Sequence, residues 1–440
     1  MKLPMPAPQL QDLWDLAETN LGQIWSIPSA EVGGVYEHWD KLRHRTPPEG
    51  LTSQQWWMGI KLKRIAMYKT LPLADKNGEK FKVALTDTLQ RLLHFVDREA
   101  AGAIQGMDGA AKQGKFLIRS LIEEAMTSSQ LEGAATTRAV AKEMLATGRK
   151  PRDQSERMIY NNYLGMMHIK DRGKRKFTVA DILELHSILT DGTLDDQSLC
   201  GKIRTAEDNV LIMDRGSDRV LHIPPNASEL PDRLQLICDF ANDESQDSFV
   251  HPVVKAIAIH FQIGYDHPFC DGNGRTARAL FYWAMMNAGY WMTEYISISS
   301  VLRKSQGKYM RAYLYTESDG QDLTYFVAQQ LQAIEQAVLG MHEYIAKKNA
   351  SDRKAIAVLR NAKVGGVLLN HRQRALLAHA LKDPERSYTV ASHQAAHAVT
   401  YPTAMHDLNQ LVEAGLLEKA RVGKSNLYFP LGDVSNLISN

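Results

Sequence analysis

Residues 267–278 read HPFCDGNGRTAR, a histidine, an acid, two glycines around an asparagine and two arginines in one short stretch. His267, at the mouth of a loop and followed by proline, has the side chain whose ordinary pKa suits a general base near neutrality. A Gly272-Asn273-Gly274 turn at a helix start points backbone N–H groups one way, an anion nest that the helix dipole strengthens. Arg275 begins that helix, and Arg278, three residues on, lies on nearly the same face. Two guanidinium forks beside a nest describe a polyphosphate site. Asp271 is a hard oxygen ligand suited to holding Mg²⁺ between phosphates, and Phe269 is an apolar anchor for the loop. Base, acid, nest and arginines together point to transfer of a phosphate-linked group onto an incoming hydroxyl.

Other readings of these residues fit less well. GNGRTA satisfies the dinucleotide-binding spacing, but that fingerprint must follow a strand in a βαβ unit, and a helical pattern precedes it here. GKS at 423–425 lacks the upstream glycine of a P-loop, position 418 being glutamate. His260, Asp266, His267 and Asp271 would begin a metal centre, yet no clear set of further ligands comes from other helices. Cys270 lies beside the base and is taken as a bystander.

At these residues the chain resembles the Fic family of protein-modifying enzymes, whose pattern H-x-F-x-[D/E]-G-N-G-R-x-x-R it matches without departure. Most members with the full motif move AMP from ATP onto a Ser, Thr or Tyr hydroxyl of a protein. The resemblance implies that His267 deprotonates the target hydroxyl and Asp271 binds Mg²⁺. Gly272, Asn273 and Gly274 would hold the α- and β-phosphates, Arg275 would neutralise the leaving pyrophosphate, and Arg278 would grip the γ-phosphate. A second stretch, SSQLEG, ends the helical run FLIRSLIEEAMTSSQLEG. By itself it is a helix terminus with Gly133 as the residue past the cap. It also matches the family's inhibitory pattern [S/T]-x-x-x-E-[G/N] through Ser128 and Glu132, which implies a Glu132–Arg278 pair in the seat of the γ-phosphate.

The elements that must position these residues read as mainly α. Helical periodicity in Val250, Val253, Val254, Ile257 and Phe261 leads into the motif. FTVADILELHSILTDG is a helix capped by Thr178 and stopped at Gly192. NVLIMDRGSDRVLHIPP breaks the rhythm with two short β-branched runs about a turn, ended by Pro224 and Pro225. The resemblance makes this hairpin, near 208–225, a flap on which a target protein docks. The stretches LFYWAMMNAGYWM and QGKYMRAYLY are candidates for a purine pocket and fit the core equally well.

The 440 residues exceed one ordinary domain. The expected organisation is a helical N-terminal domain (1–112), a catalytic domain (113–345) with its inhibitory helix near 116–133, a charged connector (346–370) and a winged-helix-like domain (371–440). In the first of these, TSQQWWMGIKLKRIAMYKTL reads as a helix with Lys61, Lys63, Arg64 and Lys69 on a solvated face. The last domain holds seven Lys/Arg against six Asp/Glu, a weak footprint for DNA, so DNA contact and dimerisation stay open as its role. A homodimer is a further expected partner. No run approaches the ~18 apolar residues of a membrane span. MKLPMPAPQL lacks the apolar core of a signal peptide, and three cysteines without zinc spacing suit a reducing cytoplasm. A regulator that only senses nucleotide, and an enzyme that removes AMP from the same target, are the alternative functions.

Overall fold

The computed structural model describes residues 1–17, 20–101, 110–214, 216–243, 249–360, 363–364, 367–381, 387–397, 399–422 and 425–431. Contacts divide the chain into two compact units, Met1–Met341 and His342–Asn440. In the first, Thr52 opens α1 (Ser53–Ile65) with a reciprocal cap: its hydroxyl accepts from the Gln55 N–H, and the Gln55 side chain accepts from the Thr52 N–H. The helix expected to run on through MYKTL stops at Ile65. Residues Tyr68–Ala74 (β1) and Lys80–Ala84 (β2) pair antiparallel instead. Pro72 cannot continue a helix, and the Asp75 carboxylate accepts from the N–H groups of Asn77 and Glu79, which fixes the turn.

The basic face expected to be solvated is so only in part, at the half-exposed Lys63 and Lys69. Lys61 and Arg64 are buried. Lys61 pairs with Asp319 at 2.8 Å, and Arg64 donates to the Tyr325 hydroxyl and to the carbonyls of Ala30 and Glu37. Tyr36 and Tyr68 both donate to Asp322 at 2.6 Å. The two acids come from a turn more than two hundred residues away in sequence. Tyr36, Lys61, Arg64 and Tyr68 therefore share a polar core with the segment around 319–325.

Next come α2 (Asp87–Ala100), α3 (Ala110–Leu131), α4 (Gln154–Arg172) and α5 (Val179–Thr190). The Thr178 hydroxyl caps α5 by accepting from the Asp181 N–H. A small hairpin comes after it, β3 (Ile212–Met213) and β4 (Val220–His222), then α6 (Leu230–Asn242). Helices α7 (Pro252–Asp266) and α8 (Asn273–Asn287) pack along one another with the motif at their junction. Val253, Val254, Ile257 and Phe261 on α7 and Ala277, Leu280 and Phe281 on α8 are buried, as their helical spacing requires. Glu124 pins α3 to this pair from within. Its carboxylate accepts from the hydroxyls of Tyr282, Ser297 and Ser299 and from the Ser299 N–H. Helices α9 (Gln306–Ser318) and α10 (Thr324–Arg360) complete the sequence of long helices.

The charged connector expected from residue 346 is helical as far as Arg360, the end of α10. The run from Met341 to Arg360 contains no glycine or proline and is rich in Ala, Lys and other strong helix formers. The second unit contains α11 (His371–Ala380), α12 (Val390–His397), α13 (Tyr401–Glu413) and an antiparallel pair, β5 (Leu417–Val422) and β6 (Ser425–Pro430). Leu377, Leu408, Leu411, Leu417 and Tyr428 form its core. Among the described residues, no helix is long and apolar enough to cross a membrane.

Candidate active site

Helix α7 ends because His267 takes a left-handed conformation, φ 47° and ψ 58°, which costs a residue with a Cβ roughly 1–2 kcal/mol. Its side chain is oriented by its own helix. Nδ1 lies 2.9 Å from the Gly264 carbonyl, and because a carbonyl only accepts, Nδ1 carries the proton. Nε2 is thereby the basic nitrogen. Burial holds the imidazole below its ordinary range, against an opposing pull from the Gly264 carbonyl, so His267 is neutral at pH 7.

The loop between the helices is held tightly. Phe269 is buried and stacks on His186 with ring centroids 3.7 Å apart. Both ends of the Asn273 amide bind the Phe269 backbone: Oδ1 accepts from its N–H at 3.0 Å and Nδ2 donates to its carbonyl at 2.7 Å. Gly272, at φ 83°, is the N-cap of α8 with no side chain capping it. A Cβ there would come 2.6 Å from Thr190 Cγ2 and 3.2 Å from His186 Nε2, so only glycine fits this approach. The first N–H groups of α8 have no intrahelical acceptor, which makes its N-terminus an anion seat.

A carboxylate of the chain itself lies at that seat. Glu132, just past the end of α3, places Oε1 2.8 Å from Arg278 Nη2. A Cβ added to Gly274 would collide with the same oxygen and come 3.0 Å from Arg278 Nη1. Ser128 completes the grip, its hydroxyl accepting from Arg278 Nε and its carbonyl from Nη2, each at 2.9 Å. Arg278 is 2% exposed while the Glu132 side chain retains 25%. The pair lines a cavity of about 470 Å³, together with His267, Asp271, Asn273, Gly274, Tyr309 and Tyr313 among others. Asp271 lines it too, with a side chain 58% exposed and 3.2 Å from Arg275. Among the described residues no three His, Cys, Asp or Glu side chains gather as a metal site. One accessible carboxylate fits Mg²⁺ nonetheless, since that ion takes one or two carboxylates and fills its shell with phosphate oxygens and water.

Residues 176–285 match the Fic/DOC family. The chain carries a Fic domain. The protein named Protein adenylyltransferase Fic is 31% identical in Drosophila melanogaster and 29% in Drosophila grimshawi over 237 residues, 51% of this chain and 45% and 46% of those proteins. The chain thus spans less than half the length of the curated relatives it matches. A crystal structure of a Fic family protein from Desulfovibrio desulfuricans G20 aligns at 19% identity and a TM-score of 0.48, covering 78% of this chain and 96% of that one.

Within the Fic domain the structure alters two expected placements. The Asn273 side chain is engaged by the Phe269 backbone. Arg275 is fully buried and does not line the cavity. Its Nη1 donates to the Leu189 carbonyl at 2.8 Å and its Nη2 to Asp271, so it reaches the site through that acid. Of the two stretches expected around a purine, QGKYMRAYLY lines the cavity through Gln306, Gly307, Tyr309, Met310, Tyr313 and Leu314. LFYWAMMNAGYWM does not line it; Leu280, Phe281, Tyr282 and Trp283 are core.

Two side chains of the Fic domain escaped the sequence reading. His186 on α5 accepts from the Gly201 N–H through Nδ1 and donates from Nε2 to the Asp271 carbonyl at 2.9 Å. Burial pushes its imidazole down to about 4, so it stays neutral and serves as a fixed strut. Arg204, 7% exposed, donates from Nε to the His267 carbonyl at 2.8 Å and from Nη2 to the Pro225 carbonyl at 2.6 Å. Neither forms a contiguous motif with residues 267–278. Their only sequence signal is a polar residue in an otherwise apolar or turn-rich segment.

Proposed function

We propose that this chain is a protein adenylyltransferase that moves AMP from ATP to a Ser, Thr or Tyr hydroxyl of a target protein or of itself, and that Glu132 restrains it. The observation that carries this reading is that His267 Nε2 and the Arg278–Glu132 pair belong to one cavity at the N-terminus of α8. The target hydroxyl would give its proton to Nε2 as its oxygen attacks the α-phosphorus. The bond to the bridging oxygen breaks, and pyrophosphate leaves with the electron pair. Backbone N–H groups at Asn273 and Gly274 would bind the phosphates, Arg278 the γ-phosphate, and Arg275 would steady Asp271. Mg²⁺, held by Asp271, would offset phosphate charge when bound. Positioning and charge stabilisation then supply the catalysis.

Incubating the chain with ATP and Mg²⁺ and mapping adducts by mass spectrometry tests this. AMP on a hydroxyl residue is the expected product, and a chain or target that stays unmodified while ATP is bound would favour a nucleotide sensor. Glu132, whose carboxylate lines the cavity, also supports a second reading in which it orients water to remove AMP. A pre-modified target that loses AMP faster with wild type than with Glu132→Gly would favour that direction. Three helices and a hairpin in the second unit support a winged-helix reading there, with DNA, or a second copy of the chain, as the partner to test by binding in graded salt.

Arg278→Ala, in a chain whose Glu132 is also replaced, is expected to weaken ATP binding roughly ten- to a hundredfold, the loss of a charge-assisted grip worth ~1.5–3 kcal/mol. Titration of ATP against both chains measures it; equal affinities would remove Arg278 from the γ-phosphate. The hairpin carries the docking reading. Leu221 falls at the irregular step between the Ile212–His222 and Met213–Val220 pairs, where proline is tolerated. Val220→Pro, at a paired position, should instead disturb the ladder. Modification of a protein target is expected to fall with ATP affinity unchanged, and a parallel loss of both would make the hairpin structural.

A further inference from the structure

Arg204 is a buried guanidinium whose hydrogen bonds end on main chain. Besides its bonds to the His267 and Pro225 carbonyls, Nη2 lies 3.4 Å from the Asp266 carbonyl, and its own N–H donates to the Pro268 carbonyl at 2.9 Å. Among the described residues no carboxylate forms an ion pair with it, although buried charges are ordinarily paired. Its donors converge instead on residues 266–268, where the chain turns left-handed at the base, and on Pro225, three residues beyond the end of β4. His267 has an αL backbone that its surroundings must impose. Its side chain is fixed by Gly264 and its N–H by the Ile263 carbonyl, and Arg204 takes the remaining backbone group.

We propose that Arg204 is a positioning residue: its fork fixes the left-handed turn that aims His267 Nε2 into the cavity, and ties that turn to the base of the hairpin. Arg204 is not among the cavity-lining residues, so it acts on the reaction through the His267 backbone and not by touching ATP. The planar fork serves two carbonyls at a fixed angle, which a lysine ammonium on a flexible stem cannot do. A base displaced by about 1 Å loses on the order of a hundredfold in rate, and a side chain that only positions the base leaves the nucleotide's grip alone. This inference rests on the adenylyltransferase reading of the site.

The test compares Arg204→Lys and Arg204→Ala in the full chain carrying Glu132→Gly, following AMP transfer against ATP concentration and pH, with unfolding temperature as a control. Lysine is expected to lower kcat roughly tenfold and alanine roughly a hundredfold, with KM for ATP unchanged. The pH profile separates geometry from charge. The groups that face His267 are Glu132 from the end of α3, His222 from β4, and Arg204. With Glu132 gone, the two that remain both disfavour imidazolium. Alanine removes one of them, so the acid limb should move to higher pH; lysine keeps the charge, so the limb should stay while kcat falls. A lysine variant with the parent's kcat would overturn the proposal. So would kcat and ATP affinity falling together with the unfolding temperature, which marks a purely structural role. If the alanine variant does not fold, the lysine variant decides alone. A Glu132→Gly parent that transfers nothing while Arg204 is intact would instead sink the adenylyltransferase reading, and the role of Arg204 with it.

Discussion

Glu132→Gly is expected to raise AMP transfer roughly ten- to a hundredfold. The carboxylate lies 2.8 Å from Arg278 and directly over the Gly274 position, so on the proposed reading a nucleotide would have to displace it to seat its terminal phosphate at the helix N-terminus. A charge-assisted pair in a partly buried setting contributes ~1.5–3 kcal/mol, and that amount of relief converts to the stated range. Glycine also removes a negative charge from the neighbourhood of incoming phosphates. The gain should require Mg²⁺, because phosphate charge still has to be offset when only Asp271 and the arginines attend it. Ser128 would stay on Arg278, so the guanidinium keeps its orientation while losing its acid. Initial rates of pyrophosphate release in the two chains measure the effect, and equal rates would reduce SSQLEG to a helix end.

His267→Ala carries the larger loss, ~10²–10⁴-fold in transfer, the usual contribution of a positioned general base. The fold and ATP affinity should survive, because the imidazole makes one side-chain hydrogen bond, to Gly264 of its own helix. The proposed base would work as neutral imidazole, and burial holds its pKa below the ordinary 6.5. Activity should therefore persist as pH falls through 6.5 and disappear only when Nε2 protonates. In Glu132→Gly the limb should move lower still, since the Glu132 charge favours imidazolium. Combining His267→Ala with Glu132→Gly should return the chain to near inactivity, because relief of inhibition supplies no base. A double variant as fast as Glu132→Gly would mean that another group takes the proton.

The grouping of residues 267–278 at one helix junction was legible because they are contiguous: histidine, acid, turn and arginines are consecutive in the chain and the helix period aligns them. Glu132 was legible only through a second motif, and its partner lies 146 positions away. Asn273 and Arg275 also have partners that spacing did not show. A polar side chain in a phosphate-type loop suggests a ligand, yet one closes the loop on Phe269 and the other turns inward to the end of α5. Arg204 and His186 were invisible because they work on carbonyl oxygens, which every residue has. The first strand as far as Leu71 looked helical because its apolar residues fit either period over so short a span. The ion pair of Lys61 with Asp319 spans 258 positions; spacing on α1 alone made the lysine look solvated.

Which phosphorus of ATP becomes attached to protein separates AMP transfer from phosphorylation. The Glu132→Gly chain should be incubated with Mg²⁺ and ATP labelled at either the α- or the γ-phosphate, and the protein fraction examined after denaturation. Covalent label from α-labelled ATP, none from γ-labelled ATP, and none from either in the Glu132→Gly/His267→Ala chain is the predicted result. Label from the γ-phosphate, or α-label that persists without His267, would contradict it.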